Sequence, residues 1–332
     1  MNDNPHGQPV RRRARTGRIA ASLAAVGALI GGAVASAAPA GAAPSPWSHD
    51  ASHQATNNSK SLSSFWSPER MRSAQPLDLL PADAADLGAK VRESAKKLIP
   101  PTSPKALPEG GGPWTGDGKV VQTSGRVFFT YQGRTASCSG NAVTSANKST
   151  VLTAGHCVKM EGAWHKDWVF VPGYHDGQAP LGKWTAAKTL STPQWSASED
   201  LNYDVGAAVV NPLDGKQLTD VTGAQGVAFN TGYNVDMYAF GFPAASPYDG
   251  EKLIYCSGRT SKDFLLSQDH GLNCDMTGGS SGGPWFTKFD EVAGTGLQSS
   301  VNSFKYNFLP TMMFGPYFGA DAQKLYEEAQ NA

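Results

Sequence analysis

The chain has 332 residues, with 28 Lys and Arg against 28 Asp and Glu, 40% hydrophobic and 17% charged residues, 37 Gly and 22 Pro. That composition is too apolar and too weakly charged for a disordered chain, and too glycine-interrupted for a helical bundle. Residues 1–110 carry 13 basic and 8 acidic side chains, residues 111–332 carry 15 and 20, and a domain of net negative charge offers no footprint for phosphate, so nucleic-acid binding is excluded.

Arg11, Arg12, Arg13, Arg15 and Arg18 precede a charge-free stretch from Ile19 to Ala37, closed by the small residues Ala35-Ser36-Ala37. This layout predicts a secretory signal peptide over residues 1–37. A membrane anchor is the rival, but the many Ala and Gly residues make the run weakly hydrophobic and a cleavage site follows it. Export to an oxidising compartment, with no stable membrane association after signal cleavage, is therefore expected, and there the four cysteines can pair.

Residues 38–118 read as a mostly disordered pro-segment and linker, rich in Pro, Ser, Ala and Asn over 38–65 and in Pro and Gly over 99–118. Between them Leu87, Val91, Ala95 and Leu98 recur at helical spacing after Asp83, a candidate N-cap for a docking helix. Cleavage between about Pro100 and Lys119 is expected, because exposed flexible backbone is where proteases cut.

From about Lys119 the pattern changes to short strands. Arg126–Tyr131, Gly140–Thr144, Thr150–Thr153, Trp168–Val171, Val205–Val210, Val235–Phe240 and Lys252–Tyr255 are β-branched or aromatic runs between turn residues. Short strands without intervening amphipathic helices indicate an all-β sandwich or barrel. One helix is expected at the end, where Ala322, Leu325, Tyr326 and Ala329 share a face.

Three stretches carry chemistry. Thr153-Ala154-Gly155-His156-Cys157 offers a histidine on a tight small-residue turn. Tyr203-Asp204-Val205 places a carboxylate at the head of an apolar strand, where it is desolvated and needs donors. Asp200, four residues earlier, lies in a polar loop and lacks that strand. Thr277-Gly278-Gly279-Ser280-Ser281-Gly282-Gly283-Pro284 surrounds Ser281 with glycines, which allow a sharp turn that exposes the hydroxyl and aims backbone N–H groups at one point. Ser280 is a competitor, though only Ser281 is followed directly by Gly-Gly-Pro. His165, His175 and His270 fall in Gly/Asp-rich loops, where solvated histidines are ordinary.

The TAGHC, Y-D-V and G-x-S-G-G-P segments resemble the trypsin/chymotrypsin-type serine endopeptidases, in the secreted bacterial branch that includes the glutamyl endopeptidases. The resemblance covers about residues 119–332 and implies two six-stranded antiparallel β-barrels followed by the C-terminal helix. It implies Ser281 as nucleophile, His156 as general base and then acid, Asp204 as the group that orients the imidazole, and the amides of Gly279 and Ser281 as the oxyanion hole. Substrates would be proteins or peptides, with no cofactor, and the enzyme is expected to be a monomer. Of the three possible cysteine pairings, proximity and the family pattern favour Cys138 with Cys157 and Cys256 with Cys274.

The sequence weighs against the other classes. Gly279-Ser280-Ser281-Gly282-Gly283 also fits the nucleophile elbow of lipases, but no histidine follows Ser281, as their Ser–acid–His order requires. Metal catalysis has no support in His or Cys spacing. A catalytically silent protease-like binding module is the remaining alternative, and it usually lacks a triad member.

Two departures from the family bear on activation and specificity. Ser280 stands where animal trypsin-like enzymes carry the Asp that pairs with the freed N-terminus. Gly296-Leu297-Gln298 stands where a G-I-H segment would supply a histidine for acidic side chains. Asp275, six residues before Ser281, is either the carboxylate at the floor of a pocket for Arg or Lys or a structural Asp after Cys274. Gln298 and Ser299 are candidate pocket-wall residues.

Overall fold

The computed structural model describes residues 51–56, 59–79 and 110–332. The signal-peptide and docking-helix readings lie outside these residues. Residues 51–56 and 59–79 are more structured than their composition suggests. They form strand β1 (Ser52–Gln54), helices α1 (Ser59–Phe65) and α2 (Pro68–Ser73), and strand β2 (Gln75–Pro76). Ser67 caps α2 by accepting from Arg70 N, and Pro68 opens it with a preset φ. After residue 110, strand β3 (Gly112–Pro113) precedes a short helix, Lys119–Thr123.

Strands β4 (Ser124–Tyr131), β5 (Arg134–Ala142) and β6 (Thr150–Thr153) open the first module, followed by a short hairpin of β7 (Lys159–Met160) and β8 (Ala163–Trp164). Strands β9 (Lys166–Pro172), β10 (Trp184–Ser191) and β11 (Gly206–Val210) complete it. The order β10-β11-β6-β5-β4-β9 returns to β10 through Trp184 opposite Phe170 and Thr185 opposite Val169, giving a closed six-stranded antiparallel barrel.

Alternation explains why these strands are apolar on both faces. Val127, Phe129 and Phe170 fill the barrel interior. Their neighbours Phe128, Val169 and Val171 point outward and are covered by Leu62, Trp66 and Met71 of α1, α2 and their junction. The C-terminal helix, Ala320–Gln330, closes the barrel with Ala322, Leu325 and Ala329.

The second module is built from β12 (Gly226–Val227), β13 (Asp236–Gly241), β14 (Ile254–Arg259), β15 (Ser261–Lys262), β16 (His270–Asn273), β17 (Pro284–Asp290), β18 (Thr295–Val301) and β19 (Met312–Gly315). Its strands pair in two sheets, one in the order β12-β18-β17-β13-β14-β3 and one in the order β15-β16-β19. The break falls at Thr260, after which the chain pairs with β16 and β19 rather than continuing the larger sheet. The Cys256–Cys274 disulfide ties β14 to the end of β16 across that break. The other disulfide joins Cys138 of β5 to Cys157. Among the described residues no helix is long and apolar enough to cross a membrane.

Candidate active site

His156 lies in a single turn of 3-10 helix, Gly155–Cys157, between β6 and the Cys157 crosslink. Asp204 precedes β11, and its pairing partner β6 delivers the His156 turn to the same end of the barrel. Both side chains are fully buried. Asp204 Oδ2 accepts from His156 Nδ1 at 2.8 Å, and Oδ1 accepts from the His156 backbone N–H at 2.8 Å. One carboxylate thus fixes ring and main chain together, and the Nδ1 proton it holds leaves Nε2 as the basic atom. Among the described residues Nε2 has no hydrogen-bond partner. Asp200 is elsewhere engaged, accepting from Asn202 N and Nδ2.

Ser281 sits in the turn between β16 and β17. Gly279 and Gly282 have φ of +94° and +79°, which side-chain-bearing residues rarely adopt, so both glycines are needed for the turn. A Cβ on Gly282 would also stand 2.0 Å from Thr153 Oγ1 and 2.8 Å from Ala154 N, so the Ser281 turn is pressed against the residues that lead into His156. Ser139 of β5 fastens it further: its N–H donates to Ser281 O at 2.7 Å and its hydroxyl to Gly279 O at 2.9 Å. Ser280, the competing serine, turns its hydroxyl back onto Thr277 O at 2.8 Å. The Gly279 N–H faces the cleft and donates to Leu77 O of the upstream segment at 2.9 Å. It is already a carbonyl-binding donor.

Two neighbouring residues that the sequence reading did not single out join these parts. Asn302 donates to Ser280 O and Phe240 O, and accepts from Trp285 Nε1. Next to it, Ser303 donates to Asp204 Oδ2 at 2.5 Å. Their only signal in the sequence is a pair of small polar residues directly after an apolar strand end. His165 was also missed: it is buried, not solvated, and its Nε2 bonds the His156 carbonyl at 2.8 Å while its ring stacks on Phe129. Burial lowers its pKa to about 4. His270 is likewise buried rather than solvated, with its pKa lowered by burial to about 4. His175 is exposed as expected.

The residues proposed for a specificity pocket are placed differently. Asp275 does not present a free carboxylate: Oδ1 accepts from Gly111 N at 3.0 Å and Tyr248 Oη at 2.7 Å. Gln298 is fully buried and accepts from Asn141 Nδ2 of the first barrel at 2.8 Å. Ser299 is buried against Met237 Sδ. The structure does not bring these two to His156; the segment that reaches Asp204 and Ser280 is Asn302-Ser303.

Cys138 Sγ, Cys157 Sγ and a ring nitrogen of His156 lie within 4.8 Å of one another. Both sulfurs are consumed in the disulfide and offer no thiolate, and His156 Nδ1 is held by Asp204. This donor set does not fit a metal ion.

No family model matches the chain. Over 100 residues the chain is 32% identical to a curated protein named extracellular metalloprotease from Bacillus subtilis (strain 168), a match that spans 30% of each. Among solved structures, protease Anisep from Arthrobacter nicotinovorans is 45% identical with a TM-score of 0.61, covering 64% of this chain and 98% of its own. A thermostable serine protease, AL20, from an extremophilic microorganism is 39% identical with a TM-score of 0.61, covering 64% and 99%. A Glu endopeptidase solved with MPD shares the fold at 17% identity and a TM-score of 0.54, over 68% and 98%.

Proposed function

Because the chain belongs to the trypsin-like serine proteases, we propose that it is an exported endopeptidase that cleaves protein or peptide substrates through Ser281, His156 and Asp204. The observation that carries this reading is the double hydrogen bond from His156 to Asp204, which leaves Nε2 without a partner among the described residues while the Ser281 turn packs on Thr153 and Ala154, the residues that lead into His156.

In this reading Ser281 Oγ attacks the scissile carbonyl carbon while His156 Nε2 takes the hydroxyl proton. Asp204 keeps the other ring proton on Nδ1 and stabilises the imidazolium. Negative charge then develops on the carbonyl oxygen, and the Gly279 and Ser281 amides receive it, each contributing on the order of 3 kcal/mol. Nε2 passes its proton to the leaving amine, which departs and leaves an ester on Ser281. Water then attacks the ester carbon while giving a proton to Nε2; the bond between that carbon and Ser281 Oγ breaks, Nε2 returns the proton to Oγ, and the acyl group is released as a carboxylic acid.

Export rests on the Arg-rich, then apolar, N-terminus and on two disulfides. The upstream residues act as a pro-segment. The ordered body supports a mature chain that begins before Gly111, because Gly112–Pro113 pair with Ile254 and Tyr255 of β14 and Trp114 packs edge-on to Phe240, Tyr255 and Phe289. This moves the proposed boundary upstream of residue 119. The engagement of Asp275 favours its structural role over recognition of Arg or Lys. The direct test is Ser281→Ala, expected to fold normally and to lose on the order of 10⁶ in kcat. Near-normal peptide hydrolysis by that variant would overturn the assignment.

A further inference from the structure

The chain's own residues 75–79 run through the cleft that the triad faces. Gln75 and Pro76 pair in parallel with Ala136 and Ser137 of β5. Leu77 donates its N–H to Ser137 O at 3.0 Å and gives its carbonyl to the Gly279 N–H at 2.9 Å. A Cβ on Gly278 would stand 3.1 Å from Asp78 Cβ, so the strand crosses directly over the oxyanion turn. Leu79 then forms a bridge with Phe304, the residue after Ser303.

Alternation turns Leu77 and Leu79 inward. Leu77 joins the core cluster that contains Ala136, Cys138 and Cys157, and Leu79 joins an aromatic cluster of Trp195, Phe304 and Tyr306. With this strand in place Ser281 is 4% exposed and His156 is 0% exposed. A substrate carbonyl has no access to the Gly279 amide while Leu77 holds it.

The segment is also anchored outside the cleft. Trp66, fully buried, donates to Asp167 O, Lys183 donates to Ser63 O and Trp66 O, and β1 adds to the edge of β10. A cut anywhere in residues 80–109 severs the covalent link and removes none of these contacts.

We propose that residues 75–79 are a built-in competitive inhibitor, with the Leu77 carbonyl seated in the oxyanion hole and Leu77 and Leu79 as its two anchors, so that activity requires release of this strand and not only a cut downstream of it. The inference rests on the protease reading of the site and adds how that site is regulated.

The test uses the full chain with a fluorophosphonate probe, resolved on a gel so that uncut protein is read as its own band. Uncut wild type should label slowly. Leu77→Ala and Leu79→Ala should each speed labelling of the uncut band severalfold, and the double variant at least tenfold, whereas Leu77→Met should label as slowly as wild type. The single truncations keep every backbone hydrogen bond of the strand, so they decide the question even where the double variant fails to fold. Equal labelling rates in the uncut wild type and both single variants would overturn the proposal. So would cleavage of the Leu77–Asp78 bond, read by mass spectrometry, since the strand would then be a substrate. Labelling that persists in Ser281→Ala would instead overturn the protease assignment itself.

Discussion

Asp204 accepts three hydrogen bonds with no solvent contact, from His156 Nδ1, His156 N and Ser303 Oγ. A buried carboxylate is stable only with such a set of donors, and each donor also fixes its position relative to the imidazole. Ser303→Ala should therefore leave the fold intact, lower kcat about tenfold through one lost bond of roughly 1.4 kcal/mol, and leave KM nearly unchanged; an unaltered kcat would remove Ser303 as a positioning residue. Asp275→Ser should leave the order of kcat/KM among Arg-, Glu- and Phe-terminated peptides unchanged, since Oδ1 already serves Gly111 and Tyr248; a reordered preference would return Asp275 to the pocket floor. Burial lowers the His270 pKa from 6.5 to about 4. The unfolded chain then binds more protons than the folded one between those values, so the stabilising difference is complete above pH 6.5 and is lost as pH falls toward 4, worth up to about 3 kcal/mol. Denaturant unfolding of Ser281→Ala from pH 7 to 4 should show this loss, and His270→Phe in that background should reduce it. An equal pH dependence in both would contradict the assignment.

At the scale of elements, the strands legible in the sequence are those with continuous β-branched and aromatic runs: β4, β6, β9, β11 and β13. In β4 and β9 the runs are apolar at successive positions because both strand faces are covered, on the outer side by α1 and α2. Strand β10 hides behind Ala and Lys, β17 opens with Pro284, and β18 reads Thr-Gly-Leu-Gln-Ser-Ser-Val. Their pairing is decided by distant partners rather than by local propensity. The candidate site was legible at His156, Asp204 and Ser281 because each sits in a short motif with its own local demand. Ser303, Asn302 and His165 act through contacts across the fold, which spacing does not encode. Strand β3 carries an outcome of its own. Its pairing with β14 should place the mature N-terminus at or before Gly110, and N-terminal sequencing of the active enzyme checks this; a terminus between residues 115 and 119 would contradict it.

For the whole molecule, two crosslinks join segments that are distant in sequence. Cys138–Cys157 holds the His156 turn to β5, and Cys256–Cys274 holds the two sheets of the second module together. Each closes a loop of similar length, with sequence separations of 19 and 18, so removing either should cost about 3 kcal/mol in unfolding free energy. Only the Cys138→Ala/Cys157→Ala variant should also lose kcat at temperatures where both remain folded, because it alone loosens His156, the proposed general base. Equal kcat in the two variants would break that link between crosslink and chemistry. The most direct measurement for the molecule is covalent titration of the processed enzyme with a fluorophosphonate, followed by peptide mapping. One adduct per chain on Ser281, formed far more slowly when His156 is replaced by Ala, is the expected result. Modification at another residue, or no adduct in folded and processed protein, would contradict the triad.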